Sequence, residues 1–192
     1  MDTRKTRTWA EISLGALRHN VSEMQRALPD GCGLLGVVKA DAYGHGASEI
    51  AAALRECGCR YLAVACPQEA LALRQAGETM PILILGAVDA AFASDMAAND
   101  ITLSVECAEK GRALSAALRG GERLRIHLKL DTGMGRLGFR VQDETALREA
   151  AAAAQLPNLD AEGVFTHVSV SDTPGEEEYT AAQLALFLSA VE

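Results

Sequence analysis

Residues 33–40 read GLLGVVKA, an apolar run of strand length that ends on a lysine. The apolarity is continuous rather than alternating. That is the pattern of a strand covered on both faces in a parallel sheet. DAYGHG follows at once over residues 41–46, a glycine-rich turn carrying Tyr43 and His45. A buried strand leaving into such a turn sets a unit, and the chain repeats it.

Upstream, RTWAEI reads as a short extended piece, so residues 1–13 form an N-terminal extended segment. An amphipathic helix over about Leu14 to Leu28 follows, and Pro29, Asp30 and Gly31 stop it. Downstream come a helix over Ala47 to Glu56, the strand YLAVA, and a helix over Gln68 to Ala76 closed by Gly77. The strand MPILILG leads to a helix over Asp89 to Ala98, and ITLSV to one over Glu106 to Leu118. RLRIHLKL is a fifth strand, with a helix over Asp143 to Ala154 after it. DAEGVFTHVSV is the sixth, and a last helix from near Glu176 is still running at Glu192. Strict β-α alternation predicts a parallel sheet with right-handed crossovers. The six strand–helix units from Leu34 onward leave two architectures. One is an open doubly wound sheet; the other is most of an eight-unit barrel with its last quarter missing.

Composition narrows the function classes. The 192 residues are 49% hydrophobic and 4% aromatic, with 18 basic against 26 acidic residues and a net charge of -8. That is a globular core-forming chain, and neither the charge nor the aromatic content suits a nucleic-acid binder. Five cysteines, Cys32, Cys57, Cys59, Cys66 and Cys107, are odd in number and irregular in spacing. They read as free thiols of a reducing compartment, with no metal site. No stretch reaches the roughly 20 apolar residues of a membrane span. The N-terminus lacks an apolar signal core, so the cytoplasm is the expected location.

In either architecture functional residues gather at the carboxyl ends of the strands. Lys39 stands there, and two readings are open. Its ammonium reaches solvent, or its amine is partly desolvated and forms a Schiff base with an aldehyde. Asp41, Tyr43 and His45 are its neighbours, and Gly44 and Gly46 would allow close backbone approach. KLDTGMGRLGF, residues 129–139, follows the fifth strand. It contains Gly133-x-Gly135-x-x-Gly138, the letters of a dinucleotide fingerprint, but no helix-forming sequence resumes before Asp143. The better reading is a flat loop delivering Arg136, whose guanidinium suits a carboxylate or phenolate oxygen. Lys129 and Asp131 would pair with each other or orient Arg136. His167 lies within the sixth strand, toward its carboxyl half, whereas His19 and His127 read as structural. Lysine, arginine and histidine at one end of a parallel sheet match the needs of a pyridoxal phosphate site.

VVKADAYGHG (Val37 to Gly46) closely resembles the cofactor-lysine motif of alanine racemases. TWAEISLGALRHN resembles that family's opening, LAVACPQEALALRQAG its second strand–helix unit, KLDTGMGRLGF its arginine loop and GVFTHVSVSD its sixth-strand motif. The resemblance implies a TIM-type (β/α)8 barrel followed by a β-rich domain. Residues 14–192 would be a partial pyridoxal phosphate-binding barrel of about six βα units, lacking that second domain. Lys39 would hold the cofactor and act as the base for D-alanine, and Tyr43 would line the site. Arg136 would bond the ring oxygen and lie near the substrate carboxylate. His167 would pack near the pyridine ring, and Lys129 would be a carbamylated support for Arg136. The substrate would be alanine, for cell-wall synthesis, in a homodimer whose partner subunit supplies the second catalytic tyrosine. The last two barrel strands, with most of the phosphate-binding loops, would lie outside this chain. The 192-residue chain is therefore expected to racemise little alone. A non-catalytic cofactor carrier and a serine racemase relative are the alternatives.

Overall fold

The computed structural model describes residues 8–192, so part of the expected N-terminal segment, residues 1–7, lies outside the described residues. Residues 8–13 are exposed and carry neither helix nor strand. The elements then run α1 (Leu14–Ala27), β1 (Leu35–Val37), α2 (Lys39–Gly44), α3 (Ala47–Glu56), β2 (Tyr61–Val64), α4 (Pro67–Gln75), β3 (Ile82–Ile84), α5 (Ala93–Ala98) and β4 (Ile101–Val105). α6 (Ala108–Ala117), β5 (Leu124–Asp131), β6 (Phe139–Arg140), α7 (Glu144–Ala153), β7 (Leu159–Phe165) and α8 (Glu177–Val191) complete them. Helix starts follow local chemistry. The Ser13 hydroxyl accepts the Ala16 N–H at 3.1 Å, Pro67 opens α4 where no donor is missed, and Asp143 accepts from Thr145 and Ala146.

β1 to β5 lie side by side in chain order, all parallel, and β7 continues the sheet beyond β5. A doubly wound sheet would reverse its strand order at a switch point. Unbroken sequential order is the wall of a barrel, which decides between the two architectures. β6 is an addition that the apolar pattern does not announce: two residues pairing with Leu130 and Asp131 at the tail of β5.

The core lies between this wall and the helices outside it. Leu62, Ile82, Ile84, Ile101, Leu103 and Ile126 are buried there. Each contributes about 1.5–3 kcal/mol by leaving water. Gly36 faces α3 so closely that a Cβ would come 2.5 Å from the Leu54 side chain. By strand alternation Leu35 and Val37 then face inward. They are 39% and 38% exposed, so β1 is not covered on both faces as its continuous apolarity predicts. β1 is an edge of the described sheet, and its inner face opens into the lumen.

Two further expectations need correction. The helix expected over Asp89 to Ala98 is a 3-10 turn, Ala90–Phe92, running into the shorter α5. The sixth strand stops at Phe165, so His167 stands in the loop beyond it rather than within the strand. The cause is a change of partner. Past Phe165 the backbone bonds to a side chain: Gln183 of α8 takes the Ser169 N–H and donates to the His167 carbonyl.

Candidate functional site

Among the described residues, the exit of β1 holds the longest run of positive-φ residues other than glycine. Ala40, Asp41, Ala42 and Tyr43 all adopt left-handed helical geometry, with φ of 50, 55, 51 and 57°. For L-residues this costs roughly 1–2 kcal/mol each, and consecutive left-handed residues other than glycine are rare. Hydrogen bonds hold the turn. The Ala42 N–H reaches the Val38 carbonyl at 2.9 Å, and the Gly46 N–H reaches the Asp41 carbonyl at 3.0 Å. The Asp41 carboxylate accepts the Ala47 N–H at 2.7 Å, which also caps α3. His45 Nδ1 lies 2.8 Å from the Ala42 carbonyl, making it a turn residue. Gly44 and Gly46 continue at φ 83 and 90°. Both serve a backbone that side chains resist: a Cβ on Gly44 would meet nothing within 4 Å, whereas one on Gly46 would also come 2.9 Å from the Glu49 carboxylate. Lys39, half-buried, opens the turn, its Nζ 5.9 Å from the centroid of the exposed Tyr43 ring.

β5 supplies the second group. Lys129 is buried, 7% exposed, with Nζ donating to the Leu130 carbonyl at 3.0 Å and lying 5.2 Å from the Phe165 ring centroid. Burial lowers its amine to about 8, against the opposing pull of Asp131 and with help from the Arg136 charge. Asp131 does not orient Arg136 directly. Its carboxylate accepts the N–H groups of Gly133 and Gly135 at 3.0 Å and folds the glycine loop. The loop also needs its glycines for space. A Cβ at Gly138 would sit 2.8 Å from the Lys129 carbonyl, and one at Gly133 2.7 Å from the Tyr179 hydroxyl. β6, not a helix, follows it, so the dinucleotide fingerprint does not apply. Arg136 stands exposed on this loop.

His167, just past β7, joins the two groups. Burial first, then the Arg136, Lys129 and Lys39 charges, hold its imidazole below the ordinary histidine range. Three strand exits thus bring Lys39, Lys129, Arg136 and His167 into one field at the carboxyl end of the sheet. The chemistry suits an anionic ligand bearing an aldehyde and a ring. An amine is available to the aldehyde, the exposed Arg136 guanidinium to the negative oxygens and an imidazole held below its ordinary range to the ring. His127 is elsewhere, packed 5.7 Å from the Tyr61 ring and 6.3 Å from Phe165. It belongs to a polar cluster toward the amino end of the lumen. There Glu162 accepts from the Tyr61 and Thr102 hydroxyls at 2.6 and 2.9 Å, and burial, with that bond, pushes the Tyr61 phenol up to about 12.

Two side chains at the site escape a reading of sequence alone. Glu69, on the first turn of α4, accepts the Ala40 N–H with one oxygen and the Ala65 N–H with the other, both at 2.7 Å. Gln183, 1% exposed on the apolar helix α8, bonds Ser169, Thr132 and His167. It joins the loop after β5 to the loop after β7. Its one available signal was a lone amide within AAQLALFL.

The family model described as "Alanine racemase, N-terminal domain" matches residues 12–192. An alanine racemase of Geobacillus kaustophilus is 42% identical over 188 residues, covering 98% of this chain and 48% of that protein. One of Desulforamulus reducens is 40% identical over 181 residues, covering 94% and 48%. Among solved structures, the alanine racemase of Clostridium difficile 630 in complex with cycloserine superposes with a TM-score of 0.91 at 37% identity. That match covers 97% of this chain and 51% of the other. The chain spans about half the length of the relatives it matches.

Proposed function

The chain belongs to the alanine racemase N-terminal domain family, and on that premise we propose that it supplies the cofactor-lysine half of a pyridoxal phosphate-dependent alanine racemase. The observation that carries this reading is the convergence of Lys39, Lys129, Arg136 and His167 at one end of a sequentially ordered parallel sheet. Lys39, Tyr43, Arg136 and His167 would hold the cofactor, with Lys39 as the attachment point.

Pyridoxal phosphate, when bound, supplies the electron sink that makes an α-proton of an amino acid removable. The chain's own groups do the rest. Lys39 Nζ takes or returns the α-proton on the face that yields the D-enantiomer. Arg136 offers its paired donors to negative oxygen of the cofactor ring and of the substrate carboxylate. His167, whose imidazole is held below the ordinary histidine range, would lie beside the cofactor ring and add little positive charge there. Lys129, lowered to about 8, holds a fraction of neutral amine near neutral pH. That is the form able to add carbon dioxide, giving a carbamate acceptor beside Arg136. The opposite-face acid, the closing barrel strands and the homodimer would come from sequence like that of the longer relatives. Supply of D-alanine to peptidoglycan in the cytoplasm is the corresponding role.

The test is reductive trapping. The 192-residue chain, incubated with pyridoxal phosphate and borohydride, is digested and mapped by mass. Modification concentrated at Lys39 and lost in Lys39→Ala supports the assignment. Labelling spread evenly over the lysines refutes it. Racemisation of L-alanine is then followed with the chain alone and within a full-length relative carrying it as its N-terminal half.

A further inference from the structure

Lys39 precedes four left-handed residues, and a turn so disfavoured holds only where its surroundings specify it. The first N–H of that turn, on Ala40, meets a carboxylate oxygen of Glu69 at 2.7 Å. The other oxygen of the same carboxylate meets the Ala65 N–H just past β2, also at 2.7 Å. Glu69 is half-buried on the first turn of α4, beside a cavity lined by Val38, Asp41, Ala47, Val64 and Leu73. Its two oxygens therefore tie the exit of β1 to the exit of β2, which lie in register through Val37 and Ala63. Charge-assisted bonds to backbone N–H groups are short and strong, and each oxygen here has one such donor.

We infer that Glu69 is a positioning residue for Lys39: by holding the Ala40 and Ala65 N–H groups together it keeps the β1 exit left-handed and the lysine amine at the site. The inference rests on the reading of Lys39 as the cofactor lysine, and it reaches a residue outside the groups assigned to cofactor and substrate. A glutamine in its place has one accepting oxygen and one donating amide. It satisfies at most one of the two N–H groups while changing little in size.

The experiment uses the 192-residue chain with Glu69→Gln, Ala40→Gly and the two combined. Two quantities are read: amide hydrogen exchange at Ala40 and Ala65, and the rate of reductive trapping of pyridoxal phosphate at Lys39 relative to Lys110. Glu69→Gln is expected to raise exchange about tenfold at one or both amides and to lower the trapping ratio about tenfold, roughly the loss of one charge-assisted bond. Ala40→Gly alone should leave the ratio unchanged. In the Glu69→Gln background it should restore the ratio several-fold, because glycine accepts positive φ without the steric cost. A purely structural role for Glu69 would not be rescued at that position. Unchanged exchange and trapping in Glu69→Gln overturn the inference, as does failure of Ala40→Gly to rescue trapping. Should wild type show no preference for Lys39, the cofactor reading fails instead. Exchange at Ala40 then decides alone: faster in Glu69→Gln supports the hold on the turn, unchanged overturns it. Should Glu69→Gln not fold, Glu69→Asp replaces it. The shorter carboxylate is expected to release one amide and spare the other, and protection of both overturns the inference.

Discussion

Replacing Gln183 with leucine removes the junction of the two loops that carry Arg136 and His167. The side chain is 1% exposed, and its oxygen accepts from the Ser169 N–H and hydroxyl, both at 3.0 Å. Its nitrogen donates to Thr132 Oγ1 at 3.2 Å and to the His167 carbonyl at 3.3 Å. Leucine has nearly the same volume, so the cavity cost is small and the polar cost dominates. The Thr132 hydroxyl keeps Thr166 at 2.9 Å as a partner, and the Ser169 hydroxyl can rotate. The Ser169 N–H and the His167 carbonyl lose the bonds they make here, and water reaches part of each residue. Such a backbone group costs about 1–3 kcal/mol when fully shielded and less where water replaces the lost partner. Part of that is offset by the leucine's greater hydrophobicity, so the expected loss is about 2–4 kcal/mol. For a chain of this size that is a fall in Tm of roughly 5–15 °C. Urea denaturation followed by circular dichroism measures it, and amide exchange at Ser169 should rise with it. A loss below about 0.5 kcal/mol, or a gain, would refute the idea that this amide joins the loops.

The amine of Lys129 is lowered from its unfolded value of 10.5 to about 8. Between those values the unfolded state binds the additional proton, so stability rises with pH through that window, by up to about 3 kcal/mol. In carbon dioxide-free buffer Lys129→Met should be the more stable protein at pH 7, and the gap should close toward pH 10.5; a pH-independent gap would contradict the buried-amine account. Asp131→Ala should free the N–H groups of Gly133 and Gly135. A loss of about 1–3 kcal/mol and faster amide exchange across residues 133–138 are expected, with β4 protection unchanged. Leu103→Ala, at a fully buried position within β4, should cost about 2–5 kcal/mol in the same denaturation assay.

Much of the fold was legible because its signals are local. Continuous apolar runs of four to eight residues mark strands buried between layers, and capping residues and glycines mark helix ends within a residue or two, except at Asp89, which caps a 3-10 turn ahead of α5. Lys39 and Arg136 stood out for the same reason: each lies in a glycine-rich stretch at a strand exit. His167 was placed one element early, because VFTHVSV carries strand propensity while the bonds that end β7 come from Gln183, on another element.

The sequence by itself determined the alternation of strands and helices, the parallel sheet, and which motif lies at which strand exit. Periodicity and turn chemistry act over a few residues, and no partner is needed to read them. Only the tertiary structure decided the rest. Sequential strand order, which separates a barrel wall from a doubly wound sheet, is a matter of which edges meet. The left-handed turn after Lys39 runs through alanine, aspartate, alanine and tyrosine, of which only aspartate favours positive φ. Its acceptor, Glu69, is 29 residues away in sequence and 2.7 Å away in space. Gln183 meets Thr132 across 51 residues. Such partners are fixed by sheet register and helix docking, which bring distant polar groups together only once the apolar faces between them have packed.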